Sequence, residues 1–264
     1  MGKWRHKLNS WFNEVTSDSS SYQANLETSS LLPAVLSKIF RQNSGRLLLL
    51  VSDSLQAEQL SAALNTFREL SSEQREIIHL PELAPGRRQW LPENEALRSA
   101  ALELLLSEQE AIFISTAQVL LGKTLRAELF QQRSFELHCS ASISPEELGK
   151  QLTALDYDFE YEVHSPGEYA RRGGIFDIYS PLYELPVRLE FWGNEIDSMR
   201  FFYPDSQRSG EELQQMKIIP RGITLLEPED HESCLLWDYF DKEADTLIIC
   251  SEEKIIRHLQ DYAE

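Results

Sequence analysis

Residues 165–209 read SPGEYARRGGIFDIYSPLYELPVRLEFWGNEIDSMRFFYPDSQRS, and their spacing predicts three short strands. The first covers Gly174 to Tyr179 behind a glycine pair, the second Val187 to Trp192, and the third Glu195 to Phe202. Gly193-Asn194, between the last two, is a two-residue connection of the kind that closes a tight hairpin, because glycine takes positive φ without steric cost. Along the second strand Val187, Leu189 and Phe191 fall on one face, and Arg188, Glu190 and Trp192 on the other. A face of Arg, Glu and Trp is not a core face. Arg188 and Trp192 are therefore expected side by side on a solvated surface, with Arg171 and Arg172 just ahead of the neighbouring strand and within reach of them. An exposed Arg–Trp group has the composition of a protein-binding hot spot. The competing reading is that Trp192 packs over its own sheet edge while the arginines pair with nearby Asp and Glu.

Toward the N terminus the pattern changes. Arg46 to Val51 ends in LLLLV, a short run apolar on both faces, followed by Ser52-Asp53-Ser54 and a helix to about Phe67. This is the signature of a buried parallel strand feeding a capped helix. A helical pattern at Leu31 to Phe40 precedes it. Glu76 to Leu80 is a candidate strand, and Pro81 to Pro92 a loop punctuated by Pro and Gly. Asn94 to Ser107 is an amphipathic helix, and AIFIST at Ala111 to Thr116 a second buried strand that feeds a helix. Repeated strand–helix units imply a parallel sheet covered on both faces, so the fold class is α/β.

From Phe135 the character shifts again. FELHCSA reads as a strand, and Ser144-Pro145-Glu146-Glu147 as a capped helix start with Pro at the first position, running to about Leu155. Phe159 to Val163 is a strand leading into the opening stretch. After it, Glu211 to Met216 reads as a short helical piece, and Leu235 to Phe240 with TLIIC (Thr246 to Cys250) as a further buried strand. Ser251 caps a last helix, with Glu252 and Glu253 placed to favour its dipole.

Composition bounds the function. At 264 residues, with 42% apolar and 26% charged residues, the chain has the make-up of one large or two modest globular domains. A net charge of −18 opposes adhesion to nucleic-acid phosphate by bulk electrostatics and favours a protein partner. Cys139, Cys234 and Cys250 are odd in number, far apart and without a CxxC, which fits a reducing compartment and argues against disulfides and zinc. His138 and Cys139, adjacent in a strand, point to opposite faces and do not share a metal. No run reaches the length of a membrane span. MGKWRHKLNSWF at the N terminus gathers Trp4, Leu8, Trp11 and Phe12 on one helical face, read as packing on its own domain rather than on a membrane, and SDSSSY as a polar linker. Gly122-Lys123-Thr124 imitates the end of a phosphate-binding loop. The position five residues before Gly122 is Ala117 rather than glycine, and the run follows a helix instead of opening one, so no nucleotide is assigned to it.

RGGIFDIYSP, PVRLEFWGNEIDSMRFF and PDSQRS, in that order, resemble the signature of the N-terminal module of bacterial transcription-repair coupling factors, itself similar to the start of UvrB, a component of excinuclease ABC. The likeness continues more weakly from about Leu26 to the end. It implies a degenerate helicase-like (P-loop NTPase-type) parallel sheet domain at 26–133 and 220–264, without a phosphate loop, and an inserted smaller α+β domain at 134–219; residues 1–25 are the N-terminal helix and linker. Leu26 to Phe40, where UvrB carries its phosphate loop, has no glycine and no GK[ST], and no DExH-like acidic box follows. Without them neither phosphate nor Mg²⁺ is held. A non-catalytic module without cofactor or metal is expected.

In the family the inserted domain binds UvrA, the damage-recognition component of excinuclease ABC, and recruits nucleotide excision repair to stalled RNA polymerase. The resemblance places that contact on Arg172 of the RGG segment, on Arg188, and on Trp192 where the family usually has Phe; Arg171, at a variable position, is an addition. RNA polymerase and DNA are met in the family by domains downstream of this chain, which reads as an N-terminal fragment or a stand-alone relative, monomeric and cytoplasmic. The alternative is an autoinhibitory or structural part of an ATP-dependent DNA translocase whose motor lies elsewhere.

Overall fold

The computed structural model describes residues 32–70, 73–82, 92–107, 109–222, 232–241 and 244–262. The expected N-terminal Trp-bearing helix, the SDSSSY linker and most of the Pro81 to Pro92 loop lie outside them. In chain order the elements are α1 (Leu32–Gln42), β1 (Leu47–Val51), α2 (Ser54–Leu70), β2 (Glu76–His79), α3 (Pro92–Leu106), β3 (Ala111–Thr116) and α4 (Ala117–Leu120). There follow β4 (Lys123–Leu125), α5 (Ala127–Arg133), β5 (Phe135–His138), α6 (Pro145–Ala154), β6 (Asp158–Phe159), β7 (Glu168–Arg172) and β8 (Ile175–Ile178). The remainder comprises β9 (Val187–Trp192), β10 (Glu195–Tyr203), β11 (Arg208–Leu213), β12 (Gln215–Ile218), β13 (Ser233–Leu235), a 3₁₀ turn (Leu236–Tyr239), β14 (Thr246–Ile249) and α7 (Glu252–Tyr262). The chain divides into two compact units.

The first unit takes residues 1–80, 109–120 and 241–264. Its centre is a parallel sheet in the order β14-β1-β3-β2, with Leu49 level with Ile248 on one side and Ile114 on the other. Every side chain of β1 and β3 is buried, which is why both read as unbroken apolar runs. Leu36, Phe40, Leu60 and Leu64 pack on Leu47, Leu49, Ile112 and Ile114. Asp53 caps α2 by accepting from the Gln56 N–H at 2.9 Å. Arg75 serves the other kind of helix end: its guanidinium donates to the carbonyls of Phe40 and Asn43 at the close of α1 and is held by Glu73 at 2.8 Å.

The second unit takes residues 81–108 and 121–240. Its main sheet has six strands in the order β11-β10-β9-β8-β7-β6, antiparallel except for the short β6–β7 pair. Leu148 and Leu152 of α6 belong to the same core as Phe176, Ile178, Val187, Leu189, Ile196 and Met199, so α6 covers one face of that sheet. Ser144 accepts the Glu147 N–H at 3.1 Å and Pro145 opens the helix, as the sequence predicts. Helix α3 groups with this unit: Ser99 donates to the Pro220 carbonyl, and Glu103 pairs with Lys217.

Several elements differ from the sequence reading. The opening stretch holds a further strand, β7, ahead of the glycine pair, and Gly173 (φ +62°) turns it into β8. Glu211 to Met216 is not helical; it belongs to β11 and β12, paired with β10 and β5. The strand expected at Phe159 to Val163 is reduced to β6, and Leu236–Tyr239 is a 3₁₀ turn. Gly122 leads into β4, whose Thr124 is buried and level with Cys234 of β13, so the Gly-Lys-Thr run opens an antiparallel strand rather than a helix.

Candidate partner-binding surface

Register decides which side chains share the open face of the six-stranded sheet. Arg172 of β7 is level with Ile175 of β8, and Ile175 with Glu190 of β9; further along, Ala170, Asp177, Arg188 and Arg200 are level across β7, β8, β9 and β10. Alternation adds Trp192 to this side, opposite the face formed by Tyr169, Phe176, Ile178, Val187 and Leu189. Arg172, Arg188 and Trp192 thus share one face, as predicted. Arg171 does not. It alternates to the α6 side, where its guanidinium meets Glu146 at 2.8 Å and lies 5.6 Å from the Phe176 ring centroid.

Trp192 ends β9 and is 83% exposed. Its neighbours explain this. The Phe191 N–H donates to the Gly174 carbonyl, so the strand beside the indole gives way to the side-chain-free Gly173-Gly174 turn, and across β10 its partner is Glu195. Gly193, at φ +63°, makes the hairpin turn while Asn194 keeps negative φ, the II′ pattern.

Arg188 departs from the expectation of a solvated side chain. Its Nε and Nη2 donate to Asp177 Oδ1 and Oδ2 at 2.6 and 2.8 Å, and Nη2 also reaches Gln207 Oε1 at 2.8 Å. The guanidinium lies 4.3 Å from the Phe202 ring centroid. The side chain is 18% exposed and that of Asp177 4%. The Asp177 hydrogen bonds, foremost, hold the Arg188 pKa above its ordinary value against the opposing effect of burial. The physical reason is that a strand position level with a buried carboxylate recruits the nearest cation, and a bidentate fork satisfies both oxygens. Arg188 and Trp192 are four residues apart, about 13 Å along the strand, and Glu190 stands between them, paired with Arg200. They do not stand side by side.

Arg172 is the exposed cation of this face. Nη2 donates to the Tyr161 carbonyl at 3.0 Å and approaches Glu162 at 3.4 Å, and the guanidinium carbon lies 5.1 Å from the Tyr161 ring centroid. Sequence reasoning does not find Tyr161, which lies in a loop without period, nor the role of Asp177, whose partner is identified only by the β8–β9 register. Among the described residues no group of three or more His, Cys, Asp or Glu is placed to hold a metal ion, and no helix is long and apolar enough to cross a membrane.

Comparison with known proteins agrees with the motifs. Residues 135–222 match the family model of the UvrB interaction domain. The chain is similar to the transcription-repair-coupling factor of Bacillus subtilis (strain 168), 31% identical over 139 residues, or 53% of this chain and 12% of that protein. The corresponding protein of Escherichia coli (strain K12) is 31% identical over 123 residues, 47% of this chain and 11% of that protein. That of Staphylococcus aureus (strain bovine RF122 / ET3-1) is 28% identical over 203 residues, 74% of this chain and 17% of that protein. The chain therefore spans less than a fifth of the length of these relatives, and the resemblance stated from its motifs is borne out.

Proposed function

We propose, from the similarity to transcription-repair-coupling factors and the match to the UvrB interaction domain, that this chain is a non-catalytic recruiting module. Its open sheet face binds UvrA of excinuclease ABC and so brings nucleotide excision repair to stalled RNA polymerase. The observation that carries the reading is Trp192, 83% exposed on the same face as Arg172 within the matched segment. A large indole left in water is unfavourable by itself and becomes favourable when a partner covers it.

In this reading the three residues divide the work. Trp192 supplies apolar area, Arg172 supplies donors for a carboxylate on the partner, and Arg188 holds β8, β9 and the turn before β11 in place through Asp177 and Gln207. The parallel sheet is the remnant of a helicase-like domain at 26–133 and 220–264, interrupted by the binding domain at 134–219, and it turns over no ATP. Contact with RNA polymerase and DNA belongs to other parts of a longer, cytoplasmic protein, and this module is a monomer.

The test is a titration of the purified chain against UvrA, with ATP hydrolysis by the chain alone measured in parallel. Tight binding that Trp192→Ala weakens about 30-fold, the ~2 kcal/mol of a hot-spot residue, supports the reading. ATP turnover by the isolated chain would favour a translocase part instead.

A further inference from the structure

We propose that Tyr161, in the loop between β6 and β7, is a fourth contact residue, and that the partner offers it and Arg172 an apolar recess edged by a carboxylate. This rests on the reading that the open sheet face binds UvrA. Tyr161 is 81% exposed, nearly as much as Trp192. It is nevertheless held: its backbone carbonyl takes the Arg172 Nη2 and its ring lies under the Arg172 guanidinium. A ring and a cation that fix one another lose little side-chain entropy on docking, which is the condition for a contact to yield net affinity.

The guanidinium is also not used up. Among the described residues its hydrogen bonds to the chain all leave from Nη2, so Nε and Nη1 remain for a partner. The carboxylate beside it is Glu162, at 3.4 Å and 43% exposed, a pair too loose and too wet to compete with a well-placed incoming one. On the sheet side, Ile175 is level with Arg172 and is itself partly exposed. Tyr161, Arg172, Ile175 and Trp192 therefore form one row across three strands and the adjoining loop, apolar at both ends with the cation inside. Strands about 4.8 Å apart place Arg172 and the β9 column about 10 Å from each other, the width of a small hot-spot cluster. In a chain of net charge −18, a cation set between exposed aromatics selects a carboxylate-bearing, otherwise apolar surface rather than a polyanion.

The experiment is calorimetric titration with UvrA using wild type, Tyr161→Phe, Tyr161→Ala, Glu162→Gln and Trp192→Ala, each checked for an unchanged melting temperature. The expected result is Tyr161→Ala weaker by about tenfold and Tyr161→Phe within about twofold, because the ring face rather than the hydroxyl makes the contact. Glu162→Gln should bind as tightly as wild type or tighter, since it removes a competing carboxylate. If Tyr161→Ala binds like wild type while Trp192→Ala is weakened, Tyr161 only shields Arg172 and the inference falls alone. If neither substitution matters, or wild type does not bind, the proposed function falls and takes the inference with it.

Discussion

Arg188 and Asp177 face one another in register across β9 and β8, and the guanidinium closes on the carboxylate through two hydrogen bonds of 2.6 and 2.8 Å. An arginine so engaged is part of the domain's framework before any partner arrives. Arg188→Ala would strand a carboxylate that is 4% exposed, and breaking a buried pair from one side costs about 3 kcal/mol. Urea denaturation should show that loss, with Arg188→Lys recovering only part because it lacks the planar fork. A variant that keeps full stability yet loses partner binding would make Arg188 a direct contact instead.

Gly167 tests a different part of the same unit. At φ +86° it is in the left-handed region, and a Cβ there would come within 2.1 Å of the side-chain carbons of Arg221, itself 3% exposed. Gly167→Ala combines backbone strain with a clash against a buried side chain and should lower stability by about 2 kcal/mol or more. An unchanged melting temperature would mean that Arg221 moves aside freely.

Legibility in the sequence varies by element. LLLLV and AIFIST stand out because a strand buried on both faces has no polar positions to confuse the pattern. The Gly193 hairpin and the Ser144 cap are legible because each depends on local chemistry alone. Strand β7 escapes the reading because Glu-Tyr-Ala-Arg-Arg has no clean alternation, its two arginines leaving by opposite faces. Strand β11 mimics a polar helix because RSGEEL is polar almost throughout; what makes it a strand is pairing with β10, Leu213 level with Met199. Alternation assigns the correct face to Arg172, Arg188 and Trp192. It does not reveal that Asp177 captures Arg188, since that depends on a register set by the eight-residue connection 179–186.

The first unit offers a pH test. The Arg75 side-chain hydrogen bond, opposed by burial and aided by backbone N–H groups, holds the Glu73 carboxylate below its usual range. A carboxylate depressed by folding contributes stability above its unfolded pKa, and that contribution is lost as pH falls through the folded value. Denaturation midpoints between pH 7 and pH 3 should therefore fall more steeply for wild type than for Glu73→Gln, with the two converging in acid. Parallel curves would show that Glu73 is not bound to Arg75 in solution.

In the proposed function, the open face of the six-stranded sheet docks UvrA through Trp192 and Arg172. The most direct measurement is the dissociation constant of that complex for wild type and for the Trp192→Ala, Arg172→Ala double variant, at matched salt. Wild type should bind measurably and the double variant should lose about 100-fold or more in affinity, since two hot-spot contacts of ~2 kcal/mol each are removed. Equal affinity of the two proteins, both folded, would contradict it.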